Sequence, residues 1–386
     1  MGYLKKLENR KFRIVYDVMS VNGKRRQKTE TLVGVTKNQA AAILARRTTA
    51  VLAGEAPGNS TISMNQLFDR FIEAKRDRLA ATTLQRYEGL LRLYLRPVFG
   101  TRKVASIRPV DLLAAYAHWS KRSVSARTVR HAVDLLRNVL RRAVKWEIIA
   151  RSPSGSLEAE DLPKALKPES TVLTEADVQQ LLREAQSPSQ RCVKRHYLTA
   201  DSTFYPAVAF ALYTGARLGE IMALRWQDID LPQRVVTICR SLNYTTNAGL
   251  SFKRPKNDQI RAVCVPSQLL SILQSHRTVQ AAEKIALRSA YRDDDLVFAK
   301  PDGTPIPPWL FSSAFRNFIS RSGIRRIRFH DLRDTHASLL AKAGVPIEVI
   351  SKRLGHSDIR VTYDRYITVY RDRDAEAAEA FAKIVT

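Results

Sequence analysis

Apolar and polar residues alternate at the start of the chain and then change period. KFRIVYDVMSV and RRQKTETLV flank Asn22-Gly23, a dipeptide that favours the two-residue turn of a β-hairpin. Thr36-Lys37-Asn38-Gln39 then has the form of a capping box, and Ala40, Ile43, Leu44 and Val51 continue a helical stripe until Gly54. A small β-sheet-plus-helix module is therefore predicted over residues 1–56, followed by the linker-like EAPGNS. Ser63-x-x-Gln66 opens an all-α stretch, with helices predicted near 64–78, 83–96, 109–121 and 125–147. Thr82, Pro97 with Gly100, and Ser123-Val124-Ser125 separate them, which predicts a four-helix bundle over 61–150. In its last helix Val129, Val133, Leu136, Leu140 and Ala143 form the apolar side, and Arg127, Arg130, Arg137, Arg141 and Lys145 collect opposite, with only Asp134 intervening.

Residues 151–171 mix Pro, Ser, Gly and charge without a period, the composition of a linker. A mixed α+β domain is predicted over 172–386. Thr174 is placed to N-cap the helix of EADVQQLLREA, and an apolar helix from Pro206 to Tyr213 leads into TGARLGE, Thr214 to Glu220. Gly215 permits a sharp turn there, and Arg217 stands where a new helix starts. RVVTICR, GLSFKRP and IRAVCVP read as three short strands, with Lys256 in the connection before the third. Arg328 to Tyr366 is the densest stretch. His330 and Arg333 share a helical spacing, and Ala337, Leu339, Leu340 and Val345 point to a buried helix ending near Gly344-Val345-Pro346. The next helix turns Ile347, Val349, Ile350 and Leu354 inward. Gly355 falls at a left-handed cap that would fix His356. Beyond it Tyr363, Tyr366 and Tyr370 share one face, a spacing that by itself describes a packed aromatic stripe.

Charge narrows the functional classes. The 386 residues, 45% hydrophobic, suffice for two or three domains, and 64 Lys and Arg against 37 Asp and Glu leave a net charge of +27. Such a chain is drawn to a polyanion, double-stranded DNA or RNA first and a membrane surface second. No apolar run approaches the length of a membrane span, and MGYLKKLENRK lacks the apolar core of a signal peptide, so a cytoplasmic location is expected. Cys192, Cys239 and Cys264 are scattered, which fits buried thiols better than a disulfide framework or a metal site.

Together, Arg217 within TGARLGE, His330-x-x-Arg333, Leu354-Gly355-His356 and a tyrosine ten residues later closely resemble the tyrosine recombinase (phage integrase) family. The resemblance implies that Tyr366 is the nucleophile and that Arg217, Lys256, His330, Arg333 and His356 complete the catalytic set, with Glu220 supporting Arg217. The family usually has Pro-Lys-Thr at the lysine; here Asn257 follows Lys256, and Lys253 is a nearby competitor. The first 56 residues look like an arm-type DNA-binding module, with Lys24, Arg25, Arg26 and Lys28 beside the turn. Residues 61–150 resemble the family's core-binding domain, whose basic face would meet phosphates. The resemblance further implies a homotetramer on synapsed DNA in a bacterial cell, at the nucleoid, with DNA-bending accessory proteins as possible partners. The C-terminal RDRDAEAAEAFAKIVT is a helix former that in the family often docks on a neighbouring subunit.

These residues suit phosphoryl transfer. A phenol is both nucleophile and leaving group, so a 3′-phosphotyrosine bond conserves the energy of the phosphodiester, and no GxxxxGK[ST] loop for ATP is present. Two guanidiniums can hold the non-bridging oxygens, the histidines can donate to them or manage the tyrosine proton, and Lys256 can protonate the 5′-oxygen. No cofactor or metal is called for. A zinc site from His330, His336 and His356 is a poor rival, since the first two fall on different helix faces and no HExxH is present. Two other classes share the pattern: a type IB topoisomerase-like nicking-closing enzyme, and a non-catalytic DNA-binding regulator.

Overall fold

The computed structural model describes residues 2–8, 11–19, 25–52, 62–122, 124–158, 160, 171–187, 202–255, 259–363 and 381–384. The chain divides into two compact units, residues 1–167 and 168–386.

In the first unit, β1 (Tyr3–Glu8), β2 (Lys11–Met19) and β3 (Arg25–Val33) form an antiparallel sheet with β2 at its centre. The alternating pattern produced the β2–β3 hairpin with Met19 opposite Arg25, and the Asn22-Gly23 turn lies outside the described residues. The strand β1, not anticipated, pairs Tyr3 with Val15 and Leu4 with Ile14. Helix α1 (Lys37–Leu52) starts at the predicted capping box: the Thr36 N–H donates to Gln39 Oε1 (2.9 Å) and the Gln39 N–H to Thr36 Oγ1 (3.3 Å). Phe12, Ile14, Tyr16 and Ala40 are buried in this module.

The bundle consists of α2 (Met64–Glu73), α3 (Ala81–Leu90), α4 (Arg96–Phe99), α5 (Pro109–Lys121) and α6 (Ala126–Lys145). Ser63 and Gln66 form the expected capping box on α2. The second predicted helix is longer than expected and is not ended by Pro97: α3 passes through a π-helical stretch, Leu91–Leu95, into α4. Proline has no N–H for the preceding turn, and a widened turn accommodates the loss. Phe68, Leu95, Phe99, Trp119, Leu136 and Leu140 belong to one core.

The second unit is built around α8 (Phe204–Thr214), which follows α7 (Glu175–Gln186) in the chain. A helix apolar on every side must be buried on every side, and nine of its eleven residues are. Its C-terminus leads into the short α9 (Leu218–Ile221). Two small antiparallel sheets follow: β4 (Ile229–Asp230), β5 (Val235–Ile238) and β8 (Arg261–Cys264) form one, and β6 (Ser241–Thr245) pairs with β7 (Gly249–Lys253) in the other. The three predicted strands exist but do not form one sheet. β6 was missed because SLNYT is largely polar; cross-strand pairing with β7 makes it a strand. Then come α10 (Ser267–Leu287), α11 (Pro308–Ile319), α12 (Asp331–Lys342) and α13 (Ile347–Leu354). Among the described residues no helix is long and apolar enough to cross a membrane.

Candidate active site

Most positions of TGARLGE have a local reason. Thr214 Oγ1 donates to Phe210 O (2.6 Å) and accepts from the Ala216 N–H (3.2 Å), closing α8. Gly215 is left-handed, with φ +65, and a Cβ there would lie 2.7 Å from Leu354 Cδ2 and 2.8 Å from His336 Cδ2. At Gly219 a Cβ would meet Leu242 O at 2.7 Å, so only glycine lets α9 approach β6 this closely. Glu220 is buried. Its Oε2 accepts from the Arg217 N–H (2.9 Å) and its Oε1 from Arg217 Nη1 (2.8 Å), capping α9 and orienting the arginine together.

Leu354-Gly355-His356 is equally determined. The His356 N–H donates to Ser351 O and the Gly355 N–H to Lys352 O, both at 3.1 Å, and Gly355 has φ +67. This is the six-to-one and five-to-two pattern of a Schellman cap. His356 is thereby fixed just past α13, its Nδ1 2.7 Å from the hydroxyl of the fully buried Thr362.

Arg333 joins the two caps. Its residue is 3% exposed, and its guanidinium donates through Nη1 to Gly215 O and through Nη2 to Leu354 O, both at 2.7 Å. Carbonyls at helix C-termini lack helical partners and carry partial negative charge, so a cation fits where two such ends meet. Arg217 Nη2 reaches Gly355 O at 3.2 Å. The two predicted arginines thus attach to consecutive carbonyls, Leu354 and Gly355, immediately before His356. His330 is exposed at the N-cap of α12, one turn before the buried Arg333, so the two differ in burial.

Three further residues complete the frame, and none was predicted in this role. Arg261 places Nη1 3.2 Å from Glu220 Oε1 and Nη2 2.6 Å from Oε2, and its Nε donates to Arg353 O at 2.9 Å. Burial would push the Glu220 carboxyl up, but the hydrogen bonds and charge of Arg261, with those of Arg217, hold it down at about 2. Arg353 donates to Tyr213 O (2.8 Å), Cys264 O (3.0 Å) and, through Nε, His336 Nε2 (3.1 Å). Because a guanidinium can only donate, His336 Nε2 accepts and its Nδ1–H donates to Leu212 O at 2.7 Å. Burial, with the Arg353 charge second, lowers this histidine to about 4. Both His336 nitrogens serve the protein, and among the described residues no group of three His, Cys, Asp or Glu is placed to hold a metal ion.

Lys256, Tyr366 and Tyr370 lie outside the described residues; Tyr363 lies in a helical turn and is half exposed. Of the C-terminal segment, residues 381–384 are described, as helix. On α6, Arg127, Arg130, Arg141 and Lys145 are exposed as the pattern requires. Arg137 departs from it: half-buried, it turns its Nη2 to Leu157 O at 3.2 Å. In the N-terminal sheet Lys28 is paired across the strand with Tyr16, the buried residue whose hydroxyl donates to Glu30 (2.5 Å), and Lys28 itself lies 3.9 Å from Glu30. It therefore belongs to the buried side of the sheet. Lys24 lies outside the described residues, and Arg25 and Arg26 are placed by backbone alone, opposite Met19 and Val18.

Comparison with known proteins gives the family. Residues 171–373 match the phage integrase family, and residues 63–120 match the N-terminal SAM-like domain of phage integrases. A XerC-like tyrosine recombinase of Caldanaerobacter subterraneus is 27% identical over 311 residues, covering 77% of this chain and 76% of that one. The ICEBs1 integrase of Bacillus subtilis is 31% identical over 177 residues, 46% of this chain and 47% of the relative. In fold, the Tn1549 transposon integrase in complex with transposon right end DNA superposes with a TM-score of 0.69 at 19% identity, over 82% of this chain and all of that one. A lambda integrase tetramer bound to a Holliday junction gives 0.60 at 16% identity over 95% of each chain. The relatives are named as recombinases and integrases; neither a topoisomerase nor a regulator is among these. With more than half of its sequence matched, the chain belongs to the phage integrase family and is a tyrosine-type site-specific recombinase, an enzyme that cuts and rejoins DNA.

Proposed function

We propose that this chain is the integrase of a phage or genomic island and that it works through a 3′-phosphotyrosine formed on Tyr366. The observation that carries the reading is the attachment of Arg217 and Arg333 to the adjacent carbonyls of Gly355 and Leu354, next to His356. Two guanidiniums and an imidazole held within one turn form a preorganised cationic cradle for a scissile phosphate. The phenol of Tyr366 gives its proton to His330 or His356 as its oxygen attacks phosphorus in line, and the bond from phosphorus to the 5′-oxygen breaks as that oxygen takes a proton from Lys256. The arginines and His330 or His356 carry the charge on the non-bridging oxygens. A 5′-hydroxyl from the partner duplex then reverses the step, releasing the tyrosine and leaving the number of phosphodiesters unchanged.

Exposed Arg127, Arg130, Arg141 and Lys145 would track phosphates beside the core site, and the module over residues 1–56 would hold arm-type DNA through Arg25, Arg26 and Lys24. The three-domain division, 1–56, 61–150 and 172–386 with a linker at 151–171, assigns one DNA contact to each. A homotetramer on synapsed duplexes in the bacterial cytoplasm, at the nucleoid, is the working assembly. The test is covalent trapping on a nicked suicide substrate made from the element's own junction, with Tyr363→Phe, Tyr366→Phe and Tyr370→Phe beside wild type. Loss of the 3′-linked adduct in Tyr366→Phe alone is expected; a wild type that binds the duplex tightly yet never forms an adduct would show that the catalytic reading is wrong.

A further inference from the structure

We infer that Arg261 is a positioning residue for the cleavage step: through Glu220 it fixes the direction of the Arg217 guanidinium, and through Arg353 O it holds the turn that carries His356. The inference rests on the reading of Arg217 as a phosphate ligand.

Arg261 occupies an inward-facing place on β8, where Arg261 and Val263 are buried and Ala262 and Cys264 are exposed. A guanidinium taken out of water loses its hydration and is tolerated only where its donors are satisfied, so its presence requires a fixed partner set. That set is the Glu220 carboxylate, met by Nη1 and Nη2, together with Arg353 O, met by Nε at 2.9 Å. Each carboxylate oxygen then carries one bond from each arginine: Oε1 accepts from Arg217 Nη1 and Arg261 Nη1, and Oε2 from the Arg217 N–H and Arg261 Nη2. Neutralising Glu220 needs one cation, and Arg217 already supplies it. The second arginine adds geometry. With its fork in place the carboxylate cannot rotate about its last bond, and Arg217 Nη1 cannot follow it.

The same side chain underlies the second arginine-binding stretch. A Cβ at Gly355 would lie 3.0 Å from Arg261 Cδ and Nη1, so the turn is seated directly on this guanidinium. Gly355 O receives Arg217 and the preceding Leu354 O receives Arg333. Among the described residues, Arg261 is therefore the one side chain bonded both to the carboxylate that orients Arg217 and to α13 immediately before those two carbonyls. A lysine at 261 would supply charge without the fork.

The experiment measures single-turnover cleavage of the nicked core-site duplex by the full chain, together with duplex affinity. It compares wild type, Arg261→Met, Arg261→Lys, Arg217→Lys and the double variant Arg217→Lys/Arg261→Met. A misaimed catalytic group costs about 100-fold, so Arg261→Met is expected to cleave about 100-fold more slowly, with Kd for the duplex within about two-fold of wild type. Arg261→Lys recovers only a minor part of that loss. In the Arg217→Lys background, Arg261→Met is expected to add less than about three-fold, because residues acting through one another are non-additive. Wild-type cleavage by Arg261→Met, or two losses that simply multiply, would overturn the inference. If Arg261→Met does not fold, Arg261→Lys alone and in the Arg217→Lys background carries the same comparison with the same two outcomes. Absence of an adduct in wild type would instead overturn the phosphotyrosine reading, and with it the step that Arg261 is assigned to support.

Discussion

Acid should loosen the catalytic unit at His336 before it reaches any of the carboxylates held low in that unit. Folded, this imidazole is held at about 4 against an ordinary 6.5, because it is buried and receives the Arg353 Nε–H at its only acceptor. The unfolded chain therefore binds the proton more readily, and stability that is full above pH 6.5 is lost as pH falls towards 4. The difference amounts to about 3 kcal/mol when fully expressed and about 2 kcal/mol at pH 5. Glu220 does not confuse this window. Held at about 2 against 4.5, it contributes stability that is present above pH 4.5 and fades only as pH falls towards 2. Hydrogen exchange of the peptide spanning α12, corrected for intrinsic rates, should lose about 30-fold in protection between pH 8 and pH 5. His336→Asn supplies a side-chain N–H for Leu212 O without titrating, so its protection should change far less. Equal losses in wild type and His336→Asn would refute the reasoning, as would full protection of the wild type at pH 5.

Two other outcomes follow from the same geometry. Gly215→Ala forces a Cβ into the left-handed region and against Leu354 Cδ2, 2.7 Å away. It should cost at least about 1–2 kcal/mol in urea unfolding and reduce adduct formation, since the carbonyl held by Arg333 belongs to the same residue. On α6, Arg130→Gln should lower the slope of log affinity against log salt by about 1 without changing which duplex is preferred, whereas Arg137→Gln, whose guanidinium is turned to Leu157 O, should leave the slope as it is.

The sequence made local features legible and left long-range ones hidden, and the boundary between them is physical. Capping boxes at Thr36 and Ser63, the N-cap at Thr174 and the glycine caps at 215 and 355 depend on neighbours within six positions, so the one-dimensional pattern contains their cause. The apolar helix α8 announced itself in the same way. α12 did not. Its apolar residues predicted one buried stripe, yet Asp331, Arg333, Asp334, Thr335, His336 and Ser338 are buried as well, and three of them, Arg333, Thr335 and His336, bond to chain segments far away in sequence. Thr335 Oγ1, for example, accepts from the Leu173 N–H at 3.2 Å across 162 residues. Arg261 was overlooked for the same reason: in IRAVCVP it looks like a strand's solvated charge, and only the inward register of β8 makes it a buried one. The clue available was the alternation itself, since Arg261 shares its face with Val263. An arginine on the apolar face of a strand needs a buried acid, and the one 41 residues earlier is the Glu220 of TGARLGE. The motif that the sequence displayed most openly was thus incomplete without a partner that it could not display.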